Sequence, residues 1–152
     1  MKKDINMKKL AMSILASVAF VSAGHVMADA DASIEYRQSI YKAVKWHMDP
    51  LGAMARGDQA FDADAALHHA RQVSALSHMP LEGFGEGTEG GGAKPEIWSN
   101  FEQFSAGMER FQEHAAELVA AAEKGELQAL RPAVGQLGQT CRACHDNFRE
   151  RQ

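Results

Sequence analysis

The chain has 152 residues, 16 basic against 20 acidic side chains, a formal net charge of −4, and two cysteines. That length makes one ordinary domain. An acidic chain with scattered lysines argues against nucleic acid or an anionic membrane surface as its partner.

Residues 1–28 read as a segment to be removed. Lys2, Lys3, Lys8 and Lys9 precede an apolar run from Leu10 to Val21, and Val26-Met27-Ala28 ends in a small residue suited to a cut. A basic start, a short apolar middle and a small-residue site describe a secretory signal peptide. As a membrane anchor the run falls short of the ~20 residues a span needs. Cleavage after Ala28 leaves 29–152, a domain of 124 residues, and removes four Lys and one Asp, shifting the formal charge from −4 to −7. The expected location is the periplasm, with no membrane contact after cleavage.

The mature segment carries four helical patterns and no persuasive strand. The first runs from about Ser33 to Met54, with Ile34, Tyr41, Val44, Met48 and Leu51 at helical spacing. Pro50 is expected to kink it or end it early. The second covers about Asp64 to Met79, with Ala66, Ala70, Val73 and Leu76 on one face, and stops at Pro80. Residues 82–94 hold six glycines in thirteen positions, which excludes a helix interior. This connection is longer than the two to eight residues usual in bundles, and long loops often serve function.

The third helix is expected from Pro95, a tolerated first-turn residue, to Lys124, with Gly125 as its stop. Phe101, Phe104, Met108, Phe111, Ala115, Leu118 and Ala122 step by three and four along one seam. The fourth, about Glu126 to Glu150, repeats the pattern through Leu127, Leu130, Val134, Leu137, Cys141, Cys144 and Phe148. Such helices imply an all-α fold, an antiparallel up-down-up-down four-helix bundle.

Both cysteines lie in Cys141-Arg142-Ala143-Cys144-His145. Three residues apart on a helix, they share one face with Cβ atoms about 5–6 Å apart. Two thiols so placed can add to the two vinyl groups on one haem edge, and the adjoining His145 can ligate the iron from below. Competing readings are weaker. A thioredoxin-like pair wants its first thiol at a helix N-terminus, zinc wants four ligands, and a disulfide within one helical turn is strained. Six of the seven histidines belong to the mature segment: His47, His68, His69, His78, His114 and His145. His68 and His69 suggest a metal site at first glance. Adjacent helix residues point about 100° apart, so both are read as surface or boundary residues.

Three stretches carry a family resemblance: CRACHDNFRER at 141–151, YRQS at 36–39 and FGEGTEGGGAKPEIW at 84–98. In this order and spacing they resemble the class II cytochromes c, cytochrome c′ in particular. The resemblance implies one haem c near the C-terminal helix, attached through Cys141 and Cys144 and ligated by His145. It also implies that Arg37 and Gln38 lie against the haem and its propionates, and that Thr88 and Glu89 approach the haem edge. A guanidinium suits a half-buried carboxylate.

Tyr41 matches the family's distal position, where low-spin relatives place an iron-binding Met. A neutral phenol, with an ordinary pKa of about 10, is a poor iron ligand, so a five-coordinate, high-spin iron is expected. Met48 is the rival sixth ligand, about 10 Å further along the helix. The function implied is electron transfer or binding of nitric oxide or carbon monoxide, with a small redox protein or a diatomic gas as partner, and no enzymatic role. One alternative is a six-coordinate electron carrier using Met48; another is a weak peroxidase or thiol oxidoreductase. Homodimers through the first two helices are common in the family, and Ala66, Ala70, Met48 and Met54 would suit either such a contact or the core.

Overall fold

The computed structural model describes residues 22–151, with side chains from Asp29 onward. The expected leader therefore lies outside the described residues up to Val21, and for 22–28 only helical backbone is described. Helix α1 spans Ser22–Arg56, α2 Ala63–Ser77, α3 Glu96–Ser99, α4 Phe101–Ala122 and α5 Leu127–Phe148, with a 3₁₀ turn at Pro80–Phe84. The four long helices form a closed ring of neighbours in which α1 packs on α2, α2 on α4, α4 on α5 and α5 on α1. Short links at 57–62 and 123–126 make successive helices antiparallel, giving the expected up-down-up-down bundle. No described helix is long and apolar enough to cross a membrane.

Two boundaries differ from the sequence expectation. Helix α1 starts at Ser22 rather than near Ser33, and of the two outcomes expected at Pro50 it does not take the early end, since it continues to Arg56. Leu51 and Met54, both 0% exposed, lie beyond the proline, and their burial holds the final turn in place. The third helix is two pieces. Asn100 adopts φ −138° and ψ 55°, which breaks the helix between α3 and α4. The break lets the single turn of α3 aim Ile97 into the core, at 2% exposed, while Trp98 Nε1 donates to the Gly85 carbonyl at 2.9 Å.

The helix ends follow local chemistry. The Asp62 carboxylate accepts from the Ala65 amide at 3.0 Å and caps α2. Gly125, at φ +66°, provides the left-handed residue that turns α4 into α5. On α4 the seam is buried as its spacing requires, from Phe104 through Met108, Phe111, Ala115 and Leu118 to Ala122. Phe101, at 41% exposed, is the seam residue left outside. Ala66, Ala70 and Met54 are fully buried within the protomer, so none of them is available to a dimer contact.

Candidate functional site

The bundle is solid at the end where α1 turns into α2. Towards the opposite end, α1, α4 and α5 diverge around a cavity of about 600 Å³. This lies in the ~300–1,000 Å³ range of cofactor clefts. Cys141, Cys144 and His145 of α5 form one side of its lining. Tyr41, Val44 and Met48 of α1, with Phe104, Met108 and Phe111 of α4, form another, and Phe84, Ile97 and Phe148 close the apolar surround.

Both thiols are free and half-buried. Burial raises the pKa of Cys141, and burial together with the neighbouring Cys141 pushes Cys144 up to about 11. The thiols are therefore protonated at neutral pH, the reverse of an activated redox cysteine. Partial burial, and then the Arg149 charge, lower the pKa of His145 while Asp146 opposes them. The ring is consequently neutral at neutral pH, the form that can donate a nitrogen to a metal. Burial raises Tyr41 above its ordinary value, so its phenol stays protonated. The Tyr41 hydroxyl donates to Met108 Sδ at 3.6 Å.

Arg37 is 2% exposed, and its position explains the glycine-rich loop. Its Nη1 donates to the carbonyls of Gly83 at 2.6 Å and Thr88 at 2.7 Å and to Thr88 Oγ1 at 3.3 Å; its Nη2 donates to the Gly90 carbonyl at 2.8 Å. The guanidinium also stacks 4.4 Å from the Phe84 ring centroid. Gln38 Nε2 adds a bond to the Gly91 carbonyl at 2.9 Å. At its far end the loop is clipped to α5: Lys94 N donates to the Phe148 carbonyl at 3.0 Å, and Glu150 N to the Gly92 carbonyl at 2.9 Å. Gly91 must be glycine. It has φ +60°, and a Cβ there would stand 2.5 Å from Ile34 Cγ2. The loop is thus a strap fixed to the first and last helices.

Of the residues singled out in the sequence, Arg37, Gln38, Tyr41, Cys141, Cys144 and His145 border this one cavity. Thr88 and Glu89 do not. Thr88 is buried within the strap as an acceptor for Arg37, and Glu89 is exposed; burial lowers the pKa of Arg37, and the Glu89 charge partly opposes that shift. The strap residues that do border the cavity are Gly91, Gly92 and Ala93. Sequence reading also missed Phe84 and Arg149 as lining residues. Phe84 sits in the glycine-rich stretch, outside any apolar periodicity that would have flagged it.

The donor set fits a covalently held haem. Two unpaired thiols lie one helical turn apart beside an imidazole, facing a cavity walled by aromatic side chains. A buried guanidinium, without an ion pair among the described residues, stands at its border. The model of the family described as Cytochrome C′ matches residues 32–149. This chain belongs to the cytochrome c′ family. Membership implies a c-type cytochrome with covalently bound haem c.

Similar family members span almost their full length on this cytochrome. The cytochrome c′ of Halomonas halodenitrificans is 40% identical over 130 residues, covering 80% of this chain and 98% of that one. The crystal structure of cytochrome c′ from Rubrivivax gelatinosus superposes with a TM-score of 0.75 at 40% identity, covering 78% of this chain and 94% of that one. A nitric oxide complex of a mutant cytochrome c prime from Alcaligenes xylosoxidans gives a TM-score of 0.78 at 36% identity, covering 81% and 97%.

Proposed function

We propose that this protein is an exported, periplasmic cytochrome c′ with one haem c. In this reading Cys141 and Cys144 hold the haem, His145 is the axial ligand, and the sixth position is left without a protein ligand. Its role is to bind nitric oxide or carbon monoxide at that position, to pass single electrons, or both. The observation that carries the reading is the wall across the cavity from the cysteine–histidine motif, where Tyr41 stands with Phe104, Met108 and Phe111. His145 is the one histidine in that lining.

Bound haem supplies one-electron exchange and an iron open to diatomic ligands. The chain supplies the surroundings. The neutral Tyr41 phenol and the phenylalanines exclude water and larger ligands by bulk, and the Tyr41 hydroxyl donates to the Met108 sulfur. Arg37 and Gln38, held at the base of the strap, border the cavity where the haem carboxylates would lie, and a buried cation with neutral partners is suited to receive them. The raised thiol pKa values oppose a thiol oxidoreductase. A phenol facing aromatic rings gives peroxide cleavage poor acid–base help. The nitric oxide complex of the Alcaligenes xylosoxidans protein supports diatomic binding in the family.

A homodimer, as is common in this family, would use the outer face of α1, where Trp46 is 73% exposed. Met48 borders the cavity and keeps the six-coordinate reading in play. An optical spectrum of the reduced protein, with and without carbon monoxide, separates the two. A high-spin spectrum that shifts fully on adding carbon monoxide supports the open site. A low-spin spectrum that resists carbon monoxide, and becomes high-spin in Met48→Leu, overturns it.

A further inference from the structure

Away from the cavity, α1 and α2 bring together three imidazoles that the haem chemistry does not use. His47 comes from α1, His68 and His69 from α2. From spacing alone His68 and His69 read as surface or boundary residues, because they diverge on their own helix. The missing partner was His47, 21 positions earlier than His68 and placed beside the pair only by helix packing. One ligand nitrogen from each ring lies within 4.8 Å of the others. His47 Nδ1 and His69 Nδ1 are 2.9 Å apart, and the ring centroids are 5.2 to 5.9 Å from one another.

We propose that His47, His68 and His69 form a second metal site, which binds one divalent transition ion of the zinc class. Imidazole is a preferred ligand for zinc, copper and nickel. Zinc–nitrogen bonds of about 2.0–2.1 Å set neighbouring ligand nitrogens roughly 3 to 3.4 Å apart. The His47–His69 pair already has nearly that separation. A nitrogen–nitrogen contact of this length needs a proton on one of the two rings, and a metal ion takes that proton's place between them. His68 is exposed, so its ring can swing the remaining distance by side-chain rotation.

The scaffold suits this role. His47 and His69 are half-buried on packed helices, which limits their motion, and His68 follows directly from the same rigid turn. Just below, Ala66 and Ala70 are fully buried, so α2 lies close against its neighbours and the spacing between the rings is fixed by the core. Three protein ligands leave a fourth position for water or a small anion, as in open zinc sites. None of the three histidines borders the haem cavity. The site therefore stands or falls independently of the haem reading.

Isothermal titration of the purified exported protein with zinc chloride at neutral pH tests the site. One zinc per chain is expected. His47→Gln and His69→Gln should each weaken binding by roughly 100-fold, and His68→Gln by about tenfold or more. His78→Gln and His114→Gln should match the parent. Circular dichroism establishes that each variant is folded, and the exposed His68→Gln gives a test that does not disturb packing. Titration with copper(II), followed by electron paramagnetic resonance, should show nitrogen hyperfine structure whose pattern simplifies by one nitrogen in His69→Gln. Absence of zinc binding up to about 1 mM, half a zinc per chain, or affinity unchanged in His47→Gln and His69→Gln would overturn the proposal.

Discussion

Where α1 turns into α2 and α4 into α5, the interior closes on itself; towards the other end α1, α4 and α5 enclose space. At the closed end Leu51, Met54, Ala66, Ala70, Leu118 and Leu130 are all 0% exposed, and alanines let the helices approach. At the open end the helices are held apart by rings. Phe84 and Phe104 lie 4.7 Å apart between centroids, Phe104 and Phe148 5.4 Å, and the strap stands where α2 would be the fourth wall. The closed end is a finished core that owes nothing to a cofactor. The open end holds a cavity whose border gathers both thiols, the imidazole and the buried guanidinium.

The comparison is broken most completely by removing the anchors. Cys141→Ser with Cys144→Ser should abolish covalent haem, leaving a purified chain with the mass of the bare polypeptide. Hydrogen exchange should then show the open end loosened while amides around Leu118 and Leu130 stay protected. The opposite experiment strikes the closed end: Leu118→Ala should cost about 2–5 kcal/mol in chemical denaturation and leave the haem spectrum unchanged.

Smaller effects probe the strap. Arg37→Gln strands the carbonyls of Gly83, Thr88 and Gly90, which should cost roughly 2–4 kcal/mol and speed amide exchange across 83–93. Gly91→Ala forces a Cβ into Ile34 in a left-handed conformation, an expected loss of about 1–3 kcal/mol with the same local signature.

The smallest effect belongs to Tyr41. Tyr41→Phe removes one weak bond to sulfur and should change stability by under ~1 kcal/mol at pH 8. Its pH dependence is sharper. Burial raises the folded pKa, so the folded state keeps its proton when the unfolded state begins to ionise near 10. The contribution is present below that pH and is lost as pH rises through the folded value. Denaturation at pH 8 and above 10 should show a decline that Tyr41→Phe reduces.

Local order decided what could be read in advance. The seam on α4 and the placement of both thiols on the buried stripe of α5 follow from spacing alone, because a helix fixes its own faces. At Pro50 spacing left a kink or an early end open, and the burial of Leu51 and Met54 just beyond it excludes the early end. Asn100 gave no signal strong enough to split α3 from α4. The strap was the least legible part. Its glycines announced a loop, but which residues face the cavity depends on Arg37 pulling three carbonyls inward, and Thr88 is turned towards the guanidinium. The three-histidine cluster was hidden for the same reason, since one member lies on a different helix.

The strap also bears on the order in which the molecule forms. Its bonds to Arg37 join residues 46 to 53 apart in the chain, whereas α4 and α5 meet across the tight turn at Gly125. Distant closures are entropically slower than near ones, so the α4–α5 hairpin should gain protection first in pulse-labelled exchange and residues 83–93 last. On the reading proposed above, that order would leave Cys141 and Cys144 accessible on the early hairpin and fasten the strap over the cavity last.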